Sequence, residues 1–268
     1  MSNLRKTLRK SEDSVVGQVL TLFSTASATG KTILAINFAA DLAERGYRVC
    51  LLDCDLQFGD VADYLKLSTD KSLFAMYENE STNAADLATT CRWNFDVLAA
   101  PKELDEAYVL DADIVSRAIN HLRANYDYVI VDTTTGFSDI NLCILEKSDY
   151  LFLPCVVDFI PSIKNLKLGL ERLAEMQIDS GRMRLILNRN KAETQIGVKD
   201  VEELLGRKFD YLVANDYSGM MNSIKDGQPI VLSSKDSALA DDISSIMATE
   251  LGDKDSASKS GLLGWLWK

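Results

Sequence analysis

The sequence predicts an α/β fold, with a single doubly wound, mainly parallel sheet of seven to eight strands flanked by helices. Three observations predict it. Short, continuous apolar runs recur along the chain, as suits strands buried on both faces of a parallel sheet. Longer stretches with helical spacing separate them, and regular strand–helix alternation builds parallel crossovers. With 268 residues, 47% of them hydrophobic, the chain can bury one large core without disulfides.

The elements are expected in the following order. A strand at 19–23 precedes a helix at 32–45, whose apolar face is Ile33, Ile36, Phe38, Ala39 and Leu42 and whose stop is Gly46. Strands follow at 49–53 and 95–98, then a helix at 114–122 carrying Ile114, Val115, Ala118, Ile119 and Leu122. Strands at 128–132 and 150–153 come next, and Pro161 opens a helix carrying Ile163, Leu166, Leu170 and Leu173. A strand at 184–188, a weaker one at 209–213 and a helix at 238–251 complete the pattern. The expected organisation is a flexible basic segment (1–16), one domain (17–251), a polar linker (252–260) and a short amphipathic helix (261–268). No internal repeat is visible.

Composition narrows the function classes. The formal net charge of −11 repels polyanions, which disfavours DNA as a partner. The five cysteines are odd in number and include no C-x-x-C pair. Cys50, Cys143 and Cys155 sit in apolar surroundings and read as small core residues of a reducing compartment rather than metal or redox groups. The single histidine, His121, is expected at the surface of its helix, which leaves no zinc site or histidine triad. The first fourteen residues are polar and basic (Arg5, Lys6, Arg9, Lys10), unlike a signal peptide. No apolar run approaches the roughly 20 residues needed to span a bilayer, so the body of the protein is expected in the cytoplasm.

The chemistry begins after the first strand, with Ser24-Thr-Ala-Ser-Ala-Thr-Gly-Lys-Thr32 leading into a helix. Free amides at a helix N-terminus and the helix dipole make an anion cradle. Lys31 would reach the β- and γ-phosphates, and the Thr32 hydroxyl would hold Mg²⁺, as in a P-loop nucleotide hydrolase. The full pattern G-x-x-x-x-G-K-[ST] asks for glycine where this chain has Thr25, and Ser27 and Ala28 also replace common glycines. Each replacement strains any position that needs a positive φ. Two further segments supply carboxylates. Tyr128-Val-Ile-Val-Asp132 ends a strand in the form that meets Mg²⁺ through water, and Asp53 and Asp55 end the strand after the loop's helix. Parallel strands bring these ends to one edge, together with Lys31. The alternative is that these aspartates cap the helices that follow.

In the order and spacing of five blocks the sequence resembles the MinD/ParA family of deviant Walker A P-loop ATPases. The blocks are Ser24–Thr32, 53–60 (Asp-Cys-Asp-Leu-Gln-Phe-Gly-Asp), 132–136 (Asp-Thr-Thr-Thr-Gly), 187–189 (Leu-Asn-Arg) and 215–229. The run Leu56-Gln-Phe-Gly-Asp60 leans toward the CpaE/TadZ branch associated with pilus assembly, without the receiver-like domain such proteins often carry. The resemblance implies ATP and Mg²⁺ as ligands and a homodimer closed around two ATP molecules. Nucleotide contacts would come from Ser27, Ala28, Thr29, Gly30, Lys31, Thr32 and Ile33, with Asn188 and Arg189 at the adenine end. Lys31 and Asp55 would be catalytic, Asp55 by positioning the attacking water. Thr32, Asp53 and Asp132 would hold Mg²⁺, partly through water. The family's signature lysine, which reaches the partner's nucleotide, falls at Ala26, so hydrolysis is expected to be slow.

The final residues add a membrane signal. Leu262, Leu263, Trp265, Leu266 and Trp267 cover one broad face of an eight-residue helix, about 12 Å long, which suits the lipid interface rather than a span. Docking onto a protein surface is the alternative. The expected protein is an ATP-switched positioning factor for pilus or secretion machinery, cytoplasmic and reversibly held at the inner face of the membrane. Division-site placement is the near alternative, with partners from that machinery instead. A non-hydrolysing ATP-binding scaffold is the alternative of another class.

Overall fold

The computed structural model describes residues 16–157, 160–190, 196–234 and 237–251. The expected basic segment, polar linker and amphipathic helix lie outside these residues, apart from Val16 at the boundary.

The chain runs β1 (Gln18–Ser24), α1 (Lys31–Glu44), β2 (Val49–Cys54), α2 (Val61–Tyr64), α3 (Phe74–Glu78), α4 (Ala84–Leu87), β3 (Thr89–Thr90) and β4 (Asp96–Leu98). Then come α5 (Leu104–Tyr108), α6 (Ala112–Arg123), β5 (Tyr128–Thr135), α7 (Asp139–Lys147), β6 (Tyr150–Cys155) and α8 (Ile160–Glu175). Last are β7 (Met183–Asn190), α9 (Val198–Leu205), β8 (Tyr211–Ala214), α10 (Tyr217–Asp226), α11 (Ile230–Ser233) and α12 (Ala238–Leu251).

The eight strands form one sheet in the order β3-β4-β2-β5-β1-β6-β7-β8. All pairs are parallel except β3–β4, a two-residue antiparallel edge too short to leave a periodic signal in the sequence. The seven strands read from the sequence are present, with ends that differ by at most three residues. Every residue of β2 and the first six of β5 are buried, the reason these strands lack polar alternation.

Helices cover both faces. On one face α1 and α12 pack over Leu20, Leu51, Ile130 and Ile186. On the other, α6 lays Val115, Ile119 and Leu122 against Val129 and Val131, and α8 lays Ile163, Leu166 and Leu173 against Leu153 and Leu185. Residues 34 to 42 of α1 are all buried, since this helix is sandwiched between the sheet and α12. The Asp111 carboxylate accepts from the Ile114 N–H and starts α6, and Ser138 does the same for α7 through the Asn141 N–H.

Strand β1 lies between β5 and β6, and chain order reverses there. Such a point leaves a crevice beyond the carboxyl ends of the strands. No helix among the described residues is long and apolar enough to cross a membrane. Two local expectations are corrected. His121 is half-buried rather than superficial, because its Nδ1 accepts the Ala84 N–H at 3.3 Å and starts α4. Cys143 is half-buried with its thiol on the Ala112 carbonyl, whereas Cys50, Cys54, Cys91 and Cys155 are buried, and all five are free thiols.

Candidate functional site

The crevice at β1 holds a cleft of about 680 Å³, within the ordinary range of small-molecule sites. One wall is the loop between β1 and α1. Ser24 turns the loop by donating its hydroxyl to the Ala26 carbonyl at 2.7 Å. Ala28 then takes a left-handed conformation (φ 57°) and Gly30 another (φ 91°). Gly30 cannot be replaced without movement, because a Cβ there would lie 2.3 Å from the Asn188 Nδ2. Gly30 also makes no side-chain cap, so the first amides of α1 keep their capacity for an anion.

Lys31 extends across the loop mouth. Its ammonium donates to the Ser24 hydroxyl at 3.1 Å and to the Thr135 hydroxyl at 3.3 Å. Burial lowers its pKa, while Asp132 and Asp55 pull it back upward. A desolvated cation with two neutral partners is suited to an incoming phosphate.

Asp53 and Asp132 are register partners at the ends of β2 and β5. Burial pushes the Asp132 carboxyl up to about 7, opposed by the Thr32 hydroxyl and by Lys31. Its Oδ1 is buried and has no hydrogen-bond partner. Burial, then the neighbouring Asp132, raise Asp53 well above the usual carboxylate range. Asp53 is nonetheless held, since Oδ1 accepts the Asp55 N–H at 3.0 Å and Oδ2 the Val61 N–H at 3.3 Å. Gly59 passes so close that a Cβ would sit 2.6 Å from Asp53 Oδ2. Asp53 therefore shapes the loop that presents Asp55 to the cleft.

The sequence-predicted loop residues Ser27 to Ile33 all border the cleft, with Asp55, Asn188 and Arg189. Asp53 and Asp132 lie beneath it rather than on its wall. Asn188, expected to face adenine, has turned its amide to the loop, donating to the Thr29 carbonyl at 2.8 Å and accepting the Arg189 N–H at 2.9 Å. The residues expected at a membrane, Leu262, Leu263, Trp265, Leu266 and Trp267, lie outside the described residues. Sequence reasoning missed Thr135 as a partner of Lys31, and Asp216, Tyr217 and Met220 at the far end of the cleft. Thr135 lies in the 132–136 block and Asp216 and Tyr217 in the 215–229 block, but neither block shows which residue turns inward.

The residues suit a nucleotide with Mg²⁺. Among the described residues no three histidine, cysteine or carboxylate side chains converge to hold a metal by themselves. The orphaned Asp132 Oδ1 and the Thr32 hydroxyl beside it offer an oxygen environment of the kind Mg²⁺ takes when phosphates and water complete its shell.

Known proteins resemble this chain in sequence and in fold. A family model described as an AAA domain matches residues 17–179. An ATP-binding protein of Methanocaldococcus jannaschii is 25% identical over 233 residues, 86% of this chain and 87% of that protein. The structure of a ParA family ATPase from Chlorobium tepidum superposes with a TM-score of 0.79 at 22% identity, covering 86% of this chain and 98% of that one. The septum site-determining protein MinD of Pyrococcus horikoshii, complexed with Mg-ADP, superposes with a TM-score of 0.78 at 18% identity, covering 91% and 98%. The model covers more than half of the sequence, so the chain belongs to the AAA domain family, and its fold is that of the ParA and MinD P-loop ATPases.

Proposed function

We propose that this protein binds Mg-ATP in the cleft, hydrolyses it slowly, and uses the nucleotide as a switch to position other machinery. The observation that carries this is the uncapped N-terminus of α1 beside a desolvated Lys31. Loop amides and Lys31 take the phosphates, and the Thr32 hydroxyl would hold Mg²⁺. Asp132 and its register partner Asp53 would hold the ion partly through water, and the ion would supply neutralisation of phosphate charge. Asp55, on the loop that Asp53 holds, positions the attacking water. Asn188 keeps one N–H and one lone pair for a base while bracing the loop.

Slow turnover follows from Ala26. A cation at that position would stabilise charge on the transferred phosphoryl group, and a methyl group cannot. The switch reading rests on the resemblance of the five blocks, with an ATP-dependent homodimer as the active form. Leu56–Asp60 favours pilus or secretion machinery as cargo, and residues 261–268 favour reversible attachment to the inner face of the membrane. Division-site placement is the second reading, favoured by the likeness to a septum site-determining protein. Ala26 is also what a non-hydrolysing scaffold would carry.

A thermal-shift titration and a phosphate-release assay test the proposal together. At 100 times Kd, Mg-ATP should stabilise the protein by about 2.7 kcal/mol, a rise of roughly 5–10 °C for a domain of this size. Lys31→Ala should remove the shift. Phosphate release should run well below the ordinary enzymatic median of about 10 per second. Absence of any Mg-ATP shift in the unaltered protein would overturn the nucleotide reading, and fast release would overturn the role given to Ala26.

A further inference from the structure

We infer that Arg189 is a positioning residue of the phosphate loop, compensating for the glycine this loop lacks at position 28. The inference rests on the nucleotide reading above and goes beyond it. Ala28 and Arg189 are both in the left-handed region, at φ 57° and 55°. That conformation crowds a Cβ against the backbone, so glycine takes it far more readily than alanine or arginine. Ala28 lies in the turn between β1 and α1 and Arg189 at the end of β7, and neither is the glycine that such a φ favours. They face each other, for the Arg189 guanidinium Nη2 donates to the Ala28 carbonyl at 2.9 Å.

The next carbonyl is held from the same strand end. Asn188 Nδ2 donates to the Thr29 oxygen at 2.8 Å, and its Oδ1 accepts the Arg189 N–H, which fixes the turn of the strand at Arg189. Two consecutive loop carbonyls are thus clamped toward β7. In a planar trans peptide the N–H points opposite to the C=O. Holding the oxygens of Ala28 and Thr29 turns the N–H groups of Thr29 and Gly30 away from β7, in the orientation an anion cradle needs. A loop rich in glycine reaches this shape at little conformational cost. Here an alanine must be held in it, and Arg189 does the holding.

The arrangement separates positioning from direct contact. If Arg189 acts through Ala28, its removal should matter much less once residue 28 is glycine. If it binds phosphate itself, its removal should matter equally in both backgrounds.

The test is a double-mutant cycle on Mg-ATP affinity, by calorimetric titration of the full chain. Arg189→Met keeps the packing stem and loses the guanidinium. In the Ala28 background it should weaken binding about 10-fold, which is 1.4 kcal/mol. In the Ala28→Gly background the same substitution should cost less than about 3-fold. Equal losses in the two backgrounds, or no loss in the first, overturn the inference. If Arg189→Met does not fold, Arg189→Lys replaces it. One donor of similar reach should hold the carbonyl, so the loss should stay under about 3-fold, and a 10-fold loss overturns the inference. Tight Mg-ATP binding by the unaltered protein alongside a flat cycle would remove only this inference, whereas absent binding would remove the nucleotide reading itself.

Discussion

At the scale of single residues the site is dominated by charges kept out of water. Asp132 is the sharpest case, its carboxyl pushed by burial from the ordinary 3.8 up to about 7. A raised carboxyl means that the folded state favours the proton. Below the unfolded value near 4, both states are protonated and Asp132 costs nothing. As pH rises to about 7 the unfolded chain has lost its proton and the folded one gives it up only against burial, so stability falls over that window. Asp132→Asn removes the charge while keeping the shape. It should stabilise the nucleotide-free protein by about 2 kcal/mol at pH 8, with the gain fading toward pH 4. Relief of the neighbouring Asp53, also raised by Asp132, works in the same direction. Urea melts at the two pH values check this, and a gain independent of pH would assign the effect to packing instead. The same variant should bind Mg-ATP more weakly, the expected trade between stability and function at a strained site.

At the scale of elements the phosphate loop is seated against α8. The position where the full P-loop pattern asks for glycine holds Thr25, and its side chain fills the notch left by Gly169. A Cβ added at residue 169 would lie 2.4 Å from Thr25 Cγ2. Gly169→Ala should therefore cost about 1–3 kcal/mol by overpacking. In a Thr25→Gly background the methyl group has room, and the same substitution should cost less than about 1 kcal/mol. Denaturant midpoints for the four proteins measure the difference. Equal costs in the two backgrounds would show that the strain lies within α8 rather than between helix and loop. Helix α1 shows the complementary principle. It gives up a side-chain cap at Gly30, and the helix terminus left open is the one at the cleft.

At the scale of the whole molecule, net charge and topology set what the protein can approach. Three arginines on and beside β7 are engaged within the protein. Arg184 is paired with Glu250, Arg182 donates to the Ser148 carbonyl and Arg189 to the Ala28 carbonyl. With a net charge of −11, the overall field of the protein repels an anionic lipid surface. On the reading proposed above, attachment comes from apolar insertion by residues 261–268, and two copies brought together by ATP would gain by effective concentration. Deleting 261–268 should abolish ATP-dependent sedimentation with liposomes. The intact chain should keep sedimenting as salt is raised, because insertion of tryptophan and leucine is not screened. Unchanged sedimentation of the deletion variant would sink the membrane role.

The local sequence determined the kinds of element and their order. Apolar runs such as 128–131 suit buried strands, and Gly30-Lys31-Thr32 between a strand and a helix marks a phosphate loop. It also determined that Lys31, Asp53, Asp55 and Asp132 meet, since parallel strands share one carboxyl edge. Tertiary structure decided how those groups are held. Asn188 and Arg189 were readable as residues of the cleft, but their grip on Thr29 and Ala28 spans 159 and 161 residues. The Thr25–Gly169 notch, the Thr135 hydroxyl on Lys31 and the antiparallel edge at β3 were equally silent in the sequence. The reason is physical. Periodicity records which face of an element is buried, whereas these contacts depend on which strand becomes the neighbour of which, and that is settled only when the whole core packs.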